Sequence, residues 1–338
     1  YQNYHLRRVF EQSAEEAENM TNVLIIGGNR FLGKTIAEAF LQDGAYRVFE
    51  LNRGTRPPNK GVTEQFRCDK NDRPEFGRIL TSRSWDIVID TILKDNDLEF
   101  AIDALNGRVG HFIHTGSIGV YGNARRIPAP EWLPMAQGDL SEEIVFNDKI
   151  AQDQVLMRAF QEKSFPATIL RMSNIYGPGD IPLDGWGGRN PLFFRMILEG
   201  KTIPLPENGR ALLQPGHVKD LGRAFLHAAK RPASIGQVYN IGGDWSLMLK
   251  DYVRLQAKIL GREIRIEYVS QEELRKRFPK ISEYGLRFVC QHMCADIAKA
   301  ERELAWRPEI PLESGLRENF RWMSGEGMLS CGGDGERA

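Results

Sequence analysis

The stretch Val23-Leu24-Ile25-Ile26-Gly27-Gly28-Asn29-Arg30-Phe31-Leu32-Gly33 determines how the N-terminal half of the chain is expected to fold. Four apolar residues indicate a short buried strand, two glycines indicate a tight turn, and apolar residues at helical spacing continue over 31–41. Glycine adopts backbone angles that other residues avoid and lets the main chain approach a phosphate closely. A helix N-terminus adds unpaired N–H groups and the positive end of its dipole. The stretch therefore predicts a strand, a turn and a helix that hold the pyrophosphate of a dinucleotide.

Apolar runs alternate with longer helical patterns up to about residue 173, which is typical of a parallel sheet with crossover helices. The predicted strands span residues 23–26, 46–51, 63–68, 86–90, 109–114 and 167–170. The predicted helices between them span residues 31–41, 72–80, 98–105 and 142–161. We therefore predict an α/β fold, a doubly wound parallel Rossmann sheet.

Glycine and proline become frequent after residue 174, and shorter elements follow. Helices are predicted at 192–199, 218–229, 249–260 and 271–277, with strands at 237–241 and 264–268. The predicted division is an N-terminal extension (1–20), a Rossmann domain (21–173, with sheet contributions from later residues), an α+β substrate lobe (174–323) and a flexible tail (324–338).

Composition narrows the class of protein. Hydrophobic residues make up 41%, charged residues 27%, and the net charge is zero, so no overall basic excess points to nucleic acid. Local basic groups remain, at Arg53, Arg56 and Lys60 and at Arg275, Lys276 and Arg277. The four cysteines and six histidines follow no metal-binding spacing, so no metal is expected. Neither a leader nor an apolar run of about 18 residues is visible, and we expect a protein of the cytoplasm or a reducing organelle stroma.

Four further motifs follow the glycine loop in order. They are His114-Thr115-Gly116-Ser117-Ile118-Gly119-Val120-Tyr121-Gly122, Arg171-Met172-Ser173-Asn174-Ile175-Tyr176-Gly177-Pro178-Gly179, His217-Val218-Lys219-Asp220-Leu221, and Trp306-Arg307-Pro308 with Leu312 and Gly315. Over residues 21–323 the chain resembles the extended branch of the short-chain dehydrogenase/reductase superfamily. It is most similar to an atypical subgroup that includes chloroplast stem-loop RNA-binding proteins. The family has a glycine at the fourth position of the loop, where this chain has Arg30.

The resemblance implies a nicotinamide dinucleotide cofactor. Its implied contacts are Gly27, Gly28, Asn29, Arg30, Phe31, Leu32, Gly33, Asn52, Arg53, Asp69, Thr91, Lys149 and Met172. An acidic residue at the end of the second strand normally holds the ribose 2′-hydroxyl of NAD, but Asn52 and Arg53 stand there. A guanidinium would pair with a 2′-phosphate, which favours NADP; NAD stays open if Glu50 reaches the ribose. Asp69 matches the family's adenine-contacting aspartate, or else it caps a helix.

The family's general base is a tyrosine four residues before a lysine. Lys149 matches the lysine, but Val145 occupies the tyrosine position and cannot carry a proton. The resemblance gives Ser117 the role of hydrogen-bonding the reacting oxygen. Three explanations stay open: another group supplies the base, the reaction needs no tyrosine there, or the protein binds cofactor without turnover. The candidate replacement bases are Asp148, Glu143, Tyr121 and Asp184.

On the substrate side, the resemblance implies contacts from Asn174 and His217. Several relatives that bind nucleotide sugars hold the pyrophosphate with an arginine four residues before that histidine, where this chain has Leu213. Arg210 is the nearest substitute. The remaining candidates are the arginines Arg189 and Arg195, and a lid formed by Trp186 with the glycine-rich loop 185–188.

These observations predict an NADP-dependent oxidoreductase, epimerase or dehydratase-like enzyme that acts on a hydroxyl or carbonyl carbon of a small polar substrate, sugar derivatives included. The alternative is a catalytically silent NADP-binding regulator or an RNA-associated protein. The resemblance further implies a homodimer through a helix pair that includes the helix at 142–161.

Overall fold

A computed structural model of the protein describes residues 20–136 and 146–330. At its centre lies a seven-stranded parallel sheet. Its strands are β1 (Thr21–Ile26), β2 (Tyr46–Asn52), β3 (Glu64–Arg67), β4 (Trp85–Asp90), β5 (Val109–Ser117), β6 (Ala167–Met172) and β11 (Val238–Ile241). They lie in the order β3-β2-β1-β4-β5-β6-β11. The strand order reverses between β1 and β4, and a crevice at such a switch point is where ligands bind in open α/β sheets.

Helices cover both faces of the sheet. In chain order the helices are α1 (Phe31–Asp43), α2 (Arg73–Thr81), α3 (Asp95–Leu105), α4 (Asn147–Lys163), α5 (Pro191–Leu198), α6 (Val218–Ala229), α7 (Leu249–Ile259), α8 (Gln271–Arg277), α9 (Glu283–Val289), α10 (Ala298–Leu304) and α11 (Leu312–Gly325). In β1, Val23 and Ile25 pack with α1 and α6, whereas Leu24 and Ile26 pack with α2, α3 and α4. Because both faces are covered, all four residues are fully buried and read as one continuous apolar run.

Most of the chain after β6 forms a smaller α+β lobe. Its short strands pair as β7 (Asn174–Tyr176) with β10 (Pro215–His217), β8 (Ile203–Pro206) with β13 (Ile266–Val269), and β9 (Leu212–Leu213) with β12 (Leu247–Met248). Trp186, Phe193, Phe194, Tyr252 and Phe320 belong to the core of this lobe.

Two elements from the C-terminal half of the chain complete the Rossmann unit. Strand β11 pairs with β6 at one end of the sheet, as one of the expected later contributions. Helix α6, predicted as part of the lobe, instead packs closely against α1: a Cβ on Gly222 would lie 2.6 Å from Thr35 Oγ1. Glycine at 222 therefore lets the two helices approach.

The outer edge of β11 is blocked by side chains. Glu131 Oε1 accepts a hydrogen bond from the Asn240 N–H at 2.9 Å. Lys299 Nζ donates to the Val238 carbonyl at 2.9 Å, and its ammonium lies over the Tyr239 ring. The Asn240 N–H and the Val238 carbonyl, which would otherwise face outward from this edge, are thus already hydrogen-bonded.

Several boundaries differ from the sequence prediction. The helix predicted at 142–161 begins at Asn147 within the described residues, because Phe146 is not helical; residues 142–145 lie outside them. Order extends past the predicted boundary at 323: α11 reaches Gly325, and the Met328 N–H then bonds the Met323 carbonyl at 3.0 Å while its side chain packs on the lobe core. Residues 1–19 and 331–338 lie outside the described part of the chain. None of the described helices combines the length and apolarity that crossing a bilayer requires.

Candidate cofactor and active site

The glycine loop is tightly enclosed. Gly27 has φ +91°, in the left-handed region, and a Cβ there would lie 2.4 Å from Thr91 Oγ1. Its N–H donates to the Leu51 carbonyl at 2.8 Å, and Thr91 Oγ1 donates to the Ile26 carbonyl at 3.1 Å. A Cβ on Gly33 would lie 2.1 Å from the Gly27 oxygen. Backbone from β1 and α1 therefore meets at a distance that only glycine permits.

The backbone angles of Arg30 show why the loop does not require the glycine that the family has at this position. Its φ of −137° and ψ of 140° are ordinary extended angles, so a side chain causes no strain there. It precedes α1, whose N-terminus has no side-chain cap and no acidic residue in its first turn. Unpaired N–H groups and the helix dipole at such an end suit a phosphate. Leu32 and Asn29 are buried beside it. These residues fit the pyrophosphate of a dinucleotide.

The loop after β2 lies against the glycine loop. Asn59 Nδ2 donates to the Gly28 carbonyl at 2.9 Å, and Asn29 Nδ2 donates to the Arg56 carbonyl at 3.2 Å. These two bonds fix residues 53–60 beside the glycine loop. The exposed cations in this region are Arg30, Arg53, Arg56 and Lys60, and none forms an ion pair within residues 20–136 and 146–330. Asn52 Oδ1 accepts from the Gly54 N–H at 2.9 Å, while its buried Nδ2 finds no partner in the described chain.

Glu50 is enclosed beneath this loop. Its side chain is fully buried, and a Cβ on Gly28 would lie 3.0 Å from its Cγ. One carboxylate oxygen accepts from Asn59 Nδ2, and the other, Oε2, finds no partner among the described residues. Burial raises the pKa of Glu50, and the hydrogen bond from Asn59 offsets part of that rise. Glu50 thus lies under the phosphate loop instead of at its open surface.

Asp69 is exposed just after β3, where its Oδ1 accepts from the Asn71 N–H at 2.9 Å. The alternative that Asp69 caps the next helix is wrong. That cap is Asp72, whose side chain accepts from the Glu75 N–H.

Ser117 ends β5, and Lys149 is bonded to the backbone of the same strand. Ser117 Oγ accepts from the Gly119 N–H at 3.1 Å, at the start of a 3₁₀ turn (Ile118–Tyr121). Lys149, in the first turn of α4, donates from Nζ to the Thr115 carbonyl at 3.1 Å and to Gln152 at 2.8 Å. Lys149 is therefore anchored two residues from Ser117.

A cavity of about 410 Å³ is lined by residues that were predicted for different roles. Phe31 and Met172 from the cofactor set, Ser117 from the catalytic set and Asn174 from the substrate set all line it. Asn174 Nδ2 has no partner within the described residues. A larger cavity of about 620 Å³ lies between residues 184–192 and 277–282, but neither Ser117 nor the glycine loop lines it. Location, not size, marks the first cavity as the site.

Two candidate bases have structural roles instead. The Tyr121 hydroxyl donates to Asn240 Oδ1 at 2.8 Å and accepts from Arg171 at 2.7 Å, inside a buried network with Asp153. The buried Asp184 carboxylate accepts from the N–H groups of Trp186, Gly188 and Asn190, and thereby folds its own loop. Asp148 is exposed on α4, and Glu143 and Val145 lie outside the described residues.

Several predicted substrate contacts also lie elsewhere. Leu213 is fully buried in the lobe core, and Arg210 is exposed in the turn between β8 and β9. His217 is buried and caps α6 by accepting from the Lys219 N–H. The arginines differ: Arg189 lines the smaller cavity while it donates to the Ile175 and Ile181 carbonyls, whereas Arg195 lines neither of the two cavities.

The predicted lid is wrong for Trp186, which is 3% exposed. Its indole N–H donates to the Pro204 carbonyl at 2.8 Å, and its ring packs on Phe193 and Phe278. Trp186 is thus part of the lobe core.

The sequence does not predict three of the aromatic residues that line the cavity. Tyr284 and Phe288 come from α9, a seven-residue helix too short to show a periodic pattern, and Phe146 precedes α4. The helix is brought to the cavity by a crossing of two glycines: a Cβ on Gly187 would lie 1.6 Å from the Gly285 oxygen. No local signal in the sequence indicates this contact.

Residues 23–242, well over half of the chain, match the NAD dependent epimerase/dehydratase family. The chain belongs to this family. Among curated members, it is 27% identical over 334 residues to the chloroplast stem-loop binding protein of 41 kDa b of Arabidopsis thaliana, an alignment covering 93% of this chain and 82% of that protein. It is 23% identical over 355 residues to the dTDP-glucose 4,6-dehydratase of Neisseria gonorrhoeae, covering 91% and 96%.

Solved structures of the epimerase/dehydratase family share the fold. The dTDP-glucose 4,6-dehydratase of Bacillus anthracis, in complex with NAD, superimposes with a TM-score of 0.70 at 20% identity over 90% of this chain and 97% of that one. The UDP-glucuronic acid 4-epimerase of Bacillus cereus, in complex with UDP-glucuronic acid and NAD, gives 0.71 at 19% over 90% and 100%.

Proposed function

We propose that the protein is an NADP-dependent enzyme of the epimerase/dehydratase type that acts on a hydroxyl or carbonyl carbon of a small polar substrate such as a sugar derivative. The observation that carries this proposal is the single cavity that joins Phe31, Met172, Ser117 and Asn174 at the carboxyl edge of the sheet. When bound, the nicotinamide would give or take the hydride.

The side chains of the site suit this chemistry. Ser117 Oγ accepts from Gly119, so its own proton is free to donate to a substrate oxygen. Two of the three Lys149 donors bond Thr115 and Gln152, which leaves one for a ribose hydroxyl. The unpaired amide of Asn174 offers a further donor to the substrate.

The preference for NADP is supported by the charge around the end of β2. Arg53 follows Asn52, whose buried Nδ2 has no partner among the described residues, and the exposed cations of the adjoining loops form no ion pair there. Hydrogen bonds between charged groups contribute about 1.5–3 kcal/mol each. Arg53→Ala is expected to weaken NADP binding about 10- to 100-fold and to leave NAD binding nearly unchanged, as measured by calorimetric titration.

Arg210→Ala serves as the matched control, because Arg210 is exposed on the lobe and lines neither cavity described above. Tighter binding of NAD than of NADP by the unaltered protein would contradict the preference.

A measurement of catalytic turnover tests the proposal that the protein is an enzyme. We expect the full chain to change nicotinamide absorbance with at least one member of a panel of carbonyl compounds, free sugars and sugar nucleotides. The names of the relatives direct the panel toward sugar nucleotides, whereas the burial of Leu213 argues against a pyrophosphate held at that position. Cofactor binding with no turnover on any member would reject the proposal.

A second candidate function is an NADP-binding regulator associated with RNA. Val145 in place of the tyrosine favours it, and the first-named relative is described as a stem-loop binding protein. In that case the cations near Arg53 would contact RNA phosphates, and NADP would compete with a stem-loop RNA. A mobility-shift titration at physiological salt, with and without NADP, separates the two functions.

A further inference from the structure

Tyr284 faces the same cavity as Ser117. Its ring lies edge-on to that of Phe146, with centroids 5.2 Å apart at 72°. Phe146 immediately follows Val145, the position at which the family places its catalytic tyrosine. A tyrosine from a distant part of the chain is therefore delivered beside Phe146, at the start of α4.

Phe146 also connects Tyr284 to Ser117. A Cβ on Gly119 would lie 2.2 Å from the Phe146 ring, so this ring covers the turn that follows Ser117. The same Gly119 donates its N–H to Ser117 Oγ. The contacts form a continuous series from the serine hydroxyl, through Gly119 and Phe146, to Tyr284.

Backbone contacts hold Tyr284 in place. Ser282 caps α9 by accepting from the Gly285 N–H at 3.2 Å. Gly285 in turn crosses Gly187 so closely that neither position has room for a side chain. The loop that carries Gly187 is folded around the Asp184 carboxylate. The main chain that carries Tyr284 is thus fixed by its neighbours, and the side chain is 49% exposed where it lines the cavity.

We propose that Tyr284 supplies the hydroxyl that position 145 lacks, and that it hydrogen-bonds and protonates the substrate oxygen beside Ser117. This proposal rests on the function proposed above. In the direction of reduction, a bound reduced nicotinamide would supply the hydride that adds to the carbonyl carbon. The electrons of the C=O π bond move to oxygen, which takes the proton of Tyr284 Oη. The phenolate then takes a proton from water, and oxidation of the alcohol follows the reverse path.

The surroundings of Tyr284 fit a proton donor. Burial and the nearby Asp148 carboxylate raise the pKa of Tyr284 above its usual value. The hydroxyl is consequently protonated at neutral pH, as a hydrogen-bond donor to the substrate oxygen must be.

Tyr284→Phe is the variant that tests this role, because it removes only the hydroxyl and keeps the edge-on contact with Phe146. Tyr268→Phe is the matched control: Tyr268 is 46% exposed on β13 and does not line the cavity. General acid–base catalysis contributes about 10²- to 10⁴-fold. We expect Tyr284→Phe to lower kcat by about 100-fold or more with an unchanged Kd for NADPH, and Tyr268→Phe to change neither.

A second measurement does not depend on turnover. The full chain is labelled with 3-fluorotyrosine, and the ¹⁹F resonance of Tyr284 is identified by its loss in Tyr284→Phe. Saturation with NADPH is expected to shift this resonance and to leave that of Tyr268 in place.

The outcomes are distinguishable. If the unaltered protein turns over and Tyr284→Phe retains activity within about threefold, the role of Tyr284 is rejected and the proposed function stands. If the unaltered protein turns over nothing in the panel, the proposed function fails and the catalytic role fails with it. If the Tyr284 resonance does not shift when NADPH is added, the placement of Tyr284 beside the cofactor is rejected.

Discussion

At the scale of single residues, the buried carboxylate of Glu50 lies at the base of the glycine loop. A group whose pKa is raised by folding stays protonated to higher pH in the folded state than in the unfolded state. Stability contributed by that group is therefore present below the unfolded value of about 4.3 and is lost as pH rises through the folded pKa. Glu50 thus stabilises the fold least at neutral and alkaline pH.

We predict that the melting temperature of Glu50→Gln, relative to that of the unaltered protein, increases as the pH rises. The amide keeps an oxygen for Asn59 and carries no charge, so at pH 8 it removes a penalty of about 1–3 kcal/mol that the ionised, unpaired Glu50 oxygen imposes. At pH 4 the Glu50 carboxyl is itself largely protonated, so the substitution removes no such penalty. Scanning calorimetry at both pH values measures the difference. Glu38→Gln, on the exposed side of α1, should show no such trend; an equal trend in both variants would refute the account.

Among the elements, the strand–turn–helix unit was predicted almost completely. The helix predicted to begin at Phe31 does so and ends at Asp43, before Gly44 at φ +80°. Its signals are local, since glycine turns and apolar spacing appear in a window of about ten residues. Helix α9 gave no such signal, and its Tyr284 reaches the cavity only through the crossing of Gly187 with Gly285. A contact between two glycines that are far apart in the chain produces no periodic pattern in the sequence.

Gly33→Ala tests the importance of the close approach in the first unit. The added methyl would lie 2.1 Å from the Gly27 oxygen, so α1 or the loop must move. We predict a loss of about 1–3 kcal/mol in the free energy of unfolding and a cofactor affinity at least about tenfold weaker. Urea denaturation and calorimetric titration measure these effects. Gly325→Ala is the control, since nothing lies within 4 Å of its Cβ; equal losses in both variants would contradict the reason given.

At the scale of the whole molecule, elements from the C-terminal half of the chain complete the N-terminal Rossmann domain. The sequence predicts a Rossmann domain over 21–173 with sheet contributions from later residues, and β11 is such a contribution, whereas α6, which packs against α1, is predicted as part of the lobe. Short apolar runs such as Val238–Ile241 fit either a lobe strand or a sheet strand. Only the tertiary pairing with β6 decides between them.

A chain that stops at residue 173 is therefore predicted not to fold cooperatively. It would lack the partner of β6, and it would lack helix α6, which packs against Thr35 of α1 and shares the apolar core on that face of the sheet. Urea titration followed by circular dichroism should give a broad transition, and a hydrophobic dye should bind. A sharp transition like that of the full chain would show that the first 173 residues are self-sufficient.

The blocked edge of β11 has a consequence for the behaviour of the protein in a crowded cell. An open sheet ends in a row of amide and carbonyl groups on which a foreign strand can grow, and this is how many native sheets begin to form fibrils. The Asn240 N–H is bonded to Glu131 and the Val238 carbonyl to Lys299, so a foreign strand would have to displace both side chains to pair there. The same two side chains that finish the sheet thus act as gatekeepers against self-templated growth.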